Sequence, residues 1–388
     1  MLSINERISL RQLQALIIVA SIGTGVIVLP RRVYEYADAD GWLIAIGLTM
    51  LAMVVTALVS TAARLRPSDN FIQSTGYFLT RPVAYILAAV FWLKLVFAAG
   101  LELRVFMLVV KEVLLKQTPL MATGITMLVV AAYAAVKGIE TRARVAELLL
   151  ALMVIPFVAL IVLAARDIDL SNLQPVLTTP TQTLVNGTIR LGFMLTGLEC
   201  LLLVSPYIHP RKNMRRAAVS AVGISGIIIT LITALTLARF GRGVKDLPWP
   251  VLSLMDMITM PGSFIERQEA LMISFWIITI FVFINALIFF GGVLIKNCIV
   301  GGRAAKGTVA DDKRRHAPSR ANRLWQIGVL VTAIAVFIVT CIPWDEAEIY
   351  QRLDFMYLTL GAFFLVVLPV LLMLASILKG KNRSNSDG

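Results

Sequence analysis

Two short stretches place glycine beside polar side chains inside otherwise apolar surroundings. The first reads Ser21-Ile22-Gly23-Thr24-Gly25-Val26-Ile27-Val28-Leu29-Pro30, the second Gly192-Phe193-Met194-Leu195-Thr196-Gly197-Leu198-Glu199. A glycine inside a helix costs about 1 kcal/mol relative to alanine, so close pairs favour an unwound turn. Unwinding frees backbone N–H groups at a half-helix N-terminus, where the macrodipole supplies about half a positive charge and suits a carboxylate. The freed carbonyls suit an ammonium or a cation. Ser21, Gly23, Thr24, Gly25, Phe193, Thr196, Gly197 and Glu199 therefore read together as a receptor for a zwitterion. Close helix packing is the other use of glycine in a membrane, and a lone Gly-x-Gly would be read that way. Two interruptions, one followed by a carboxylate, favour the receptor.

The elements that position these residues follow from composition. Of 388 residues, 58% are hydrophobic and 15% charged, with mean hydropathy +0.83. Soluble domains carry about 25% charged residues, so a soluble enzyme and a disordered chain are both excluded. The apolar runs are unbroken, whereas barrel strands alternate over about ten residues. An all-α polytopic membrane protein is expected, one transmembrane domain over 1–388. Ten apolar spans fall near 10–30, 41–63, 83–110, 120–137, 145–165, 185–207, 215–238, 268–296, 324–343 and 354–378. The run after Arg11 lacks a small-residue cleavage site and reads as the first span rather than a leader.

The formal net charge of +13 is read as topology rather than nucleic-acid binding. Lys and Arg number twenty-three in the N-terminus, the tail 379–388 and the loops after even spans, against ten in the loops after odd spans. Both termini and the longest loop, 296–323, are then expected in the cytoplasm.

Spans one and six, the interrupted ones, lie five apart. Two halves of five, about 10–165 and 185–378, form a 5+5 arrangement in which the second half inserts upside down. Gly-interrupted segments at corresponding positions of two halves point to a transporter-type binding site. Charges at depth are costly and therefore candidates. Lys94 lies eleven residues beyond Val83, roughly 16 Å along a helix, near the middle of a core about 30 Å thick. Glu199 lies fourteen residues beyond Val185, roughly 21 Å along its helix. The two are the deepest opposite charges, suited to ligand binding or gating, or to a structural ion pair.

Gly23-Thr24-Gly25-Val26-Ile27 with Leu29-Pro30 resembles the first-helix pattern of amino acid–polyamine–organocation permeases, and Phe193…Gly197-Leu198-Glu199 resembles their sixth. The stretch Trp249-Pro250-Val251-Leu252-Ser253-Leu254-Met255, with Pro261-Gly262-Ser263-Phe264-Ile265-Glu266-Arg267-Gln268-Glu269, is similar to the hallmark of endospore germination permeases, the B subunits of nutrient germinant receptors. The turn Lys137-Gly138-Ile139-Glu140 resembles the same subfamily. The resemblance implies a LeuT-like fold, a small-molecule nutrient of amino-acid type, germinant receptor A and C subunits as partners, and residence in the bacterial cytoplasmic or spore inner membrane. Proton-coupled relatives often carry a lysine on span five; span five here has none, so ion coupling stays open.

No cofactor, metal set or catalytic triad is readable, and an enzyme is not expected. Cys200, Cys298 and Cys341 offer no disulfide framework. Three functions stay open: a ligand-sensing receptor subunit, a secondary amino acid transporter, and a scaffold that keeps the fold without a ligand. The charge asymmetry carries the topology. Single cysteines at Asn322 and Ser384 are expected to be protected from an impermeant thiol reagent in intact cells, and cysteines replacing Glu35, Ser171 or Ala347 labelled. The reverse pattern overturns the orientation.

Overall fold

The computed structural model of the chain describes residues 7–166, 168–192, 197–256, 268–300 and 320–384. Its elements are helical: α1 (Leu10–Ser21), α2 (Thr24–Ala37), α3 (Gly41–Ala63), α4 (Phe71–Phe78), α5 (Arg81–Val113), α6 (Leu120–Val136), α7 (Ile139–Ala164), α8 (Thr181–Gly192), α9 (Leu201–Val204), α10 (Met214–Phe240), α11 (Pro250–Asp256), α12 (Gln268–Val300), α13 (Arg320–Cys341), α14 (Glu346–Met356) and α15 (Leu368–Ser384). No strand occurs among the described residues. A single bridge pairs Ile8 with Ile208, through Ile8 N–H to the Tyr207 carbonyl at 2.8 Å and His209 N–H to the Ile8 carbonyl at 3.0 Å.

Among the described residues, six helical stretches are long and apolar enough to cross a membrane: Gly25–Ala63, Arg81–Val113, Met214–Asp246, Ile273–Ile299, Arg323–Cys341 and Ala347–Lys379. Shorter apolar helices cover Leu10–Ser21, Leu120–Val136 and Leu198–Tyr207. Large side chains such as Met50, Val54, Val129, Ile338 and Leu374 point outward on these helices. A lipid solvent makes that exposure favourable, and the chain is an integral membrane protein.

Two differences from the sequence reading have physical causes. The fifth span starts at Ile139, six residues before the expected 145, because helical hydrogen bonding extends past the apolar run. The tenth is not one regular helix: wide turns with π-type bonding run through Tyr357–Gly361 and Phe363–Val367 before α15. Hydropathy does not register that change of winding.

The helices pack in two groups. One joins α1, α2, α3, α8 and α10, the other α5, α6, α12 and α13, while α7 leans on α1. The first group is drawn close by small residues, as membrane helices without a hydrophobic drive require. A Cβ on Gly226 of α10 would lie 2.2 Å from Thr49 Cγ2 of α3, and one on Gly47 would lie 2.6 Å from Thr188 Oγ1 of α8. At the far end of α2, the buried Asp40 carboxylate accepts the N–H groups of Leu177, Thr178 and Thr179 at 2.7, 2.9 and 2.9 Å. It fastens the loop before α8 to the start of α3.

The α3–α10 seam gives a packing test. Gly226→Leu is expected to destabilise the protein by at least about 1–3 kcal/mol, the usual cost of overpacking. Gly223→Ala, whose Cβ meets Met53 Sδ at an ordinary 3.5 Å, is expected to leave thermal unfolding of the detergent-solubilised protein unchanged.

Candidate functional site

The first span is broken between α1 and α2. Helix α1 begins at a Ser9–Gln12 capping box and ends at Ser21. Ile22 and Gly23 leave the helix, and α2 resumes at Thr24. The gap frees backbone groups that water would satisfy at the surface but not at depth. One is recovered by Thr279 of α12, whose hydroxyl donates to the Ile22 carbonyl at 3.3 Å. Gly23 has φ −67°, and a Cβ there would meet only ordinary contacts, the nearest being the Ala20 carbonyl at 3.4 Å. Gly25 lies in the first turn of α2 rather than in the gap, with Thr24 at the first helical position.

The sixth span is interrupted at Gly197, just before the short helical turns Leu198–Cys200 and Leu201–Val204. Phe193 and Thr196 lie outside the described residues. Gly192 packs α8 against α3, where a Cβ would come within 2.5 Å of Leu51 Cδ2; its role there is close packing. Gly197 is different. It holds φ +105°, ψ −16°, a left-handed conformation that only glycine adopts readily. This residue turns the chain back into the second half of the span.

Glu199 and Lys94 meet here. The Lys94 ammonium, from the middle of α5, donates to Glu199 Oε1 in a direct ion pair. Each side chain is 1% exposed, and the pair is the one fully buried ion pair among the described residues. Glu199 Oε2 accepts the Gly197 N–H at 3.2 Å. One carboxylate thus neutralises a buried cation and satisfies a backbone donor freed by the break.

Two cavities flank the breaks. On the α2 side, Ile22, Val26, Phe157, Val251, Met255 and Trp276 enclose a small apolar space. On the α1 side, Ser21, Arg142, Gly197, Cys200, Phe283 and Phe290 line a second one. The structure therefore brings Ser21, Gly197, Glu199 and Lys94 to one region, with Gly23 at its edge.

Arg142 is the residue the sequence reading misplaced. By sequence it falls in the loop between the expected spans 120–137 and 145–165 and so counts among the loop cations, yet on α7 it is only 6% exposed. Its Nε donates to Asn285 Oδ1 of α12, and the guanidinium carbon lies 4.7 Å from the Phe289 ring centre. Helical phase carries the signal that charge counting hides. Glu140 and Arg144, four residues apart, pair on one face at 2.6 Å; Arg142, about 200° away from each, must point inward.

The architecture is that of LeuT-like secondary transporters. A Na+-coupled sialic acid symporter in a substrate-bound outward-open state superposes with TM-score 0.65 at 14% identity, covering 93% of this chain and 78% of that one. Mhp1, a nucleobase-cation-symport-1 family transporter, gives 0.66 at 13% identity with the same coverage. MhsT in complex with L-phenylalanine gives 0.53 at 13% identity, covering 94% and 97%. Within that class, residues 7–309 match the family described as spore germination protein, and the chain belongs to it. Three relatives from Bacillus subtilis (strain 168) extend the match. Spore germination protein YndE is 26% identical over 284 residues, 72% of this chain and 78% of its own length. Spore germination protein B2 is 22% identical over 92% of both chains, and spore germination protein KB 23% identical over 98% of both. The family consists of membrane permeases and receptor subunits rather than enzymes.

The ion pair yields a double-mutant test. Lys94→Met and Glu199→Gln alone each leave one buried charge unpaired and are expected to cost about 3–5 kcal/mol of stability. The double variant is expected to lose clearly less than the two single losses together. Thermal unfolding of purified protein measures all three, and strict additivity refutes the coupling.

Proposed function

We propose that the chain is the ligand-sensing integral-membrane subunit of a spore nutrient germinant receptor. It binds a small nutrient of amino-acid type at the two helix breaks and acts with A- and C-type receptor subunits in the spore inner membrane. Ten spans in a 5+5 inverted repeat carry the site, with both termini in the cytoplasm. The single observation behind this reading is the convergence of the α1–α2 break, the left-handed turn at Gly197 and the buried Lys94–Glu199 pair. Irregular backbone at membrane depth is tolerated only where it faces protein or a cavity, and here the breaks flank cavities. Ser21, Gly23, Thr24, Gly25, Phe193, Thr196 and Gly197 form the receptor, with Lys94 and Glu199 fixing its geometry. The family, whose relatives are named for spore germination, supports the receptor role. A ligand signals only if it favours one arrangement of the helices over another, so the nutrient must bind the two states unequally.

The likeness to solved transporters favours a second reading, an amino acid permease that moves its substrate. The receptor reading is tested in spores. Gly25→Leu puts a branched side chain in the first turn of α2, beside the break. It is expected to abolish nutrient-triggered germination at normal membrane level and to spare germination by agents that bypass receptors. An unchanged nutrient dose–response in that variant removes the breaks from the site. Amino acid uptake by the purified chain alone in liposomes replaces the receptor reading with the transporter.

A further inference from the structure

The α1-side cavity is lined by a cation that has no counter-charge among the described residues. Arg142 is more than nine-tenths buried, and its Nη1 has no hydrogen-bond partner. Among the described residues its guanidinium takes part in none of the ion pairs. Lys94 and Glu199 neutralise each other and leave no charge to spare. The contacts Arg142 does make are neutral: the Asn285 amide oxygen and the faces of Phe289 and Phe290.

The guanidinium is nevertheless held in place. The Asn285 amide donates to the Ala131 carbonyl of α6 at 2.7 Å, which turns its oxygen toward Arg142 Nε. Two phenylalanines fix the plane of the fork. Arg142 thus forms part of the wall of the cavity together with Ser21, Gly197 and Cys200. A buried, unpaired charge is costly unless something of opposite sign completes it.

We propose that this cavity binds one small monovalent anion, a halide or a carboxylate, on the Arg142 guanidinium. The cavity, about 60 Å³, has room for a few waters and so for one such ion. A divalent oxyanion such as sulfate fits less well, because its second charge would meet a single buried cation. A carboxylate matches the guanidinium fork with two parallel bonds; a halide accepts from the same donors. The occupant would also draw α7 and α12, which hold Arg142 and Asn285, toward the Gly197 turn. The inference stands without the nutrient reading, since it needs neither a germinant nor a partner subunit.

The test uses the full-length protein in detergent, unfolded thermally at fixed ionic strength and pH. Sodium chloride, bromide and acetate series are titrated against the sodium salt of the bulky buffer anion MES. A saturable rise in Tm with chloride and bromide supports a halide site, and a saturable rise with acetate alone supports a carboxylate site. Identical Tm values in all four salts overturn the proposal on the unaltered protein, with no variant needed. Arg142→Met is expected to abolish the anion-dependent shift; Ser21→Leu, which narrows the cavity and keeps the guanidinium, is expected to reduce it. A shift of full size in a folded Arg142→Met protein also overturns the assignment.

Discussion

A broken helix inside a membrane leaves backbone N–H and C=O groups that neither lipid nor water can satisfy. The rest of the site is arranged around that constraint. At the first break, a hydroxyl from α12 reaches across to the Ile22 carbonyl. At the second, the Glu199 carboxylate takes the Gly197 N–H and must itself be neutralised, because an isolated carboxylate at that depth would be far too costly. Lys94 supplies the neutralising charge from another helix. Each break is therefore closed by a side chain from outside its own span or by a pair that links two spans. Neither break is stable without the assembled bundle.

This arrangement also decides what the two helix groups do to each other. Glu199 belongs with the group that contains α1, α3 and α10, and Lys94 with the group that contains α5, α12 and α13. Asn285 and Arg142 tie α12 to α7 in the same way. The seam between α3 and α10, by contrast, is made of glycine and threonine in close contact. Polar pins join the groups, and tight apolar seams hold each one together. Small changes at a pin are then expressed as a relative shift of whole groups, because packed interfaces tolerate a few discrete arrangements better than continuous strain.

How much of this the sequence disclosed depended on the kind of signal. Long apolar runs fix helices well, and α3 coincides with the expected 41–63. The family motifs and the two interruptions were legible for the same reason, since glycine beside polar residues stands out in apolar surroundings. Which glycine does what was not legible. Gly197 serves backbone conformation, Gly192 serves packing against Leu51, and Gly23 is accommodated without either need. All three look alike in a sequence, because the distinction lies in φ and in the distance to a neighbouring helix. The Lys94–Glu199 pair was suggested by depth alone; contact across 105 positions is a property of the fold.

Arg142 shows where the counting of charges by loop fails. A basic run at the end of an apolar span reads as a cytoplasmic anchor, and Lys137 and Arg144 do remain accessible. Yet a helix that begins at Ile139 presents alternate members of such a run to opposite sides. The membrane-insertion signal depends on how many cations flank a span, not on which way each one faces. A cation can therefore serve the topology during insertion and end inside the folded protein. Once there it faces the cavity below the Gly197 turn with the neutral Asn285 as its hydrogen-bond acceptor. A structure that spends so much of its polar chemistry on closing two helix breaks has left one buried guanidinium nitrogen without a partner near them, and in a low-dielectric wall such a group favours charge of the opposite sign.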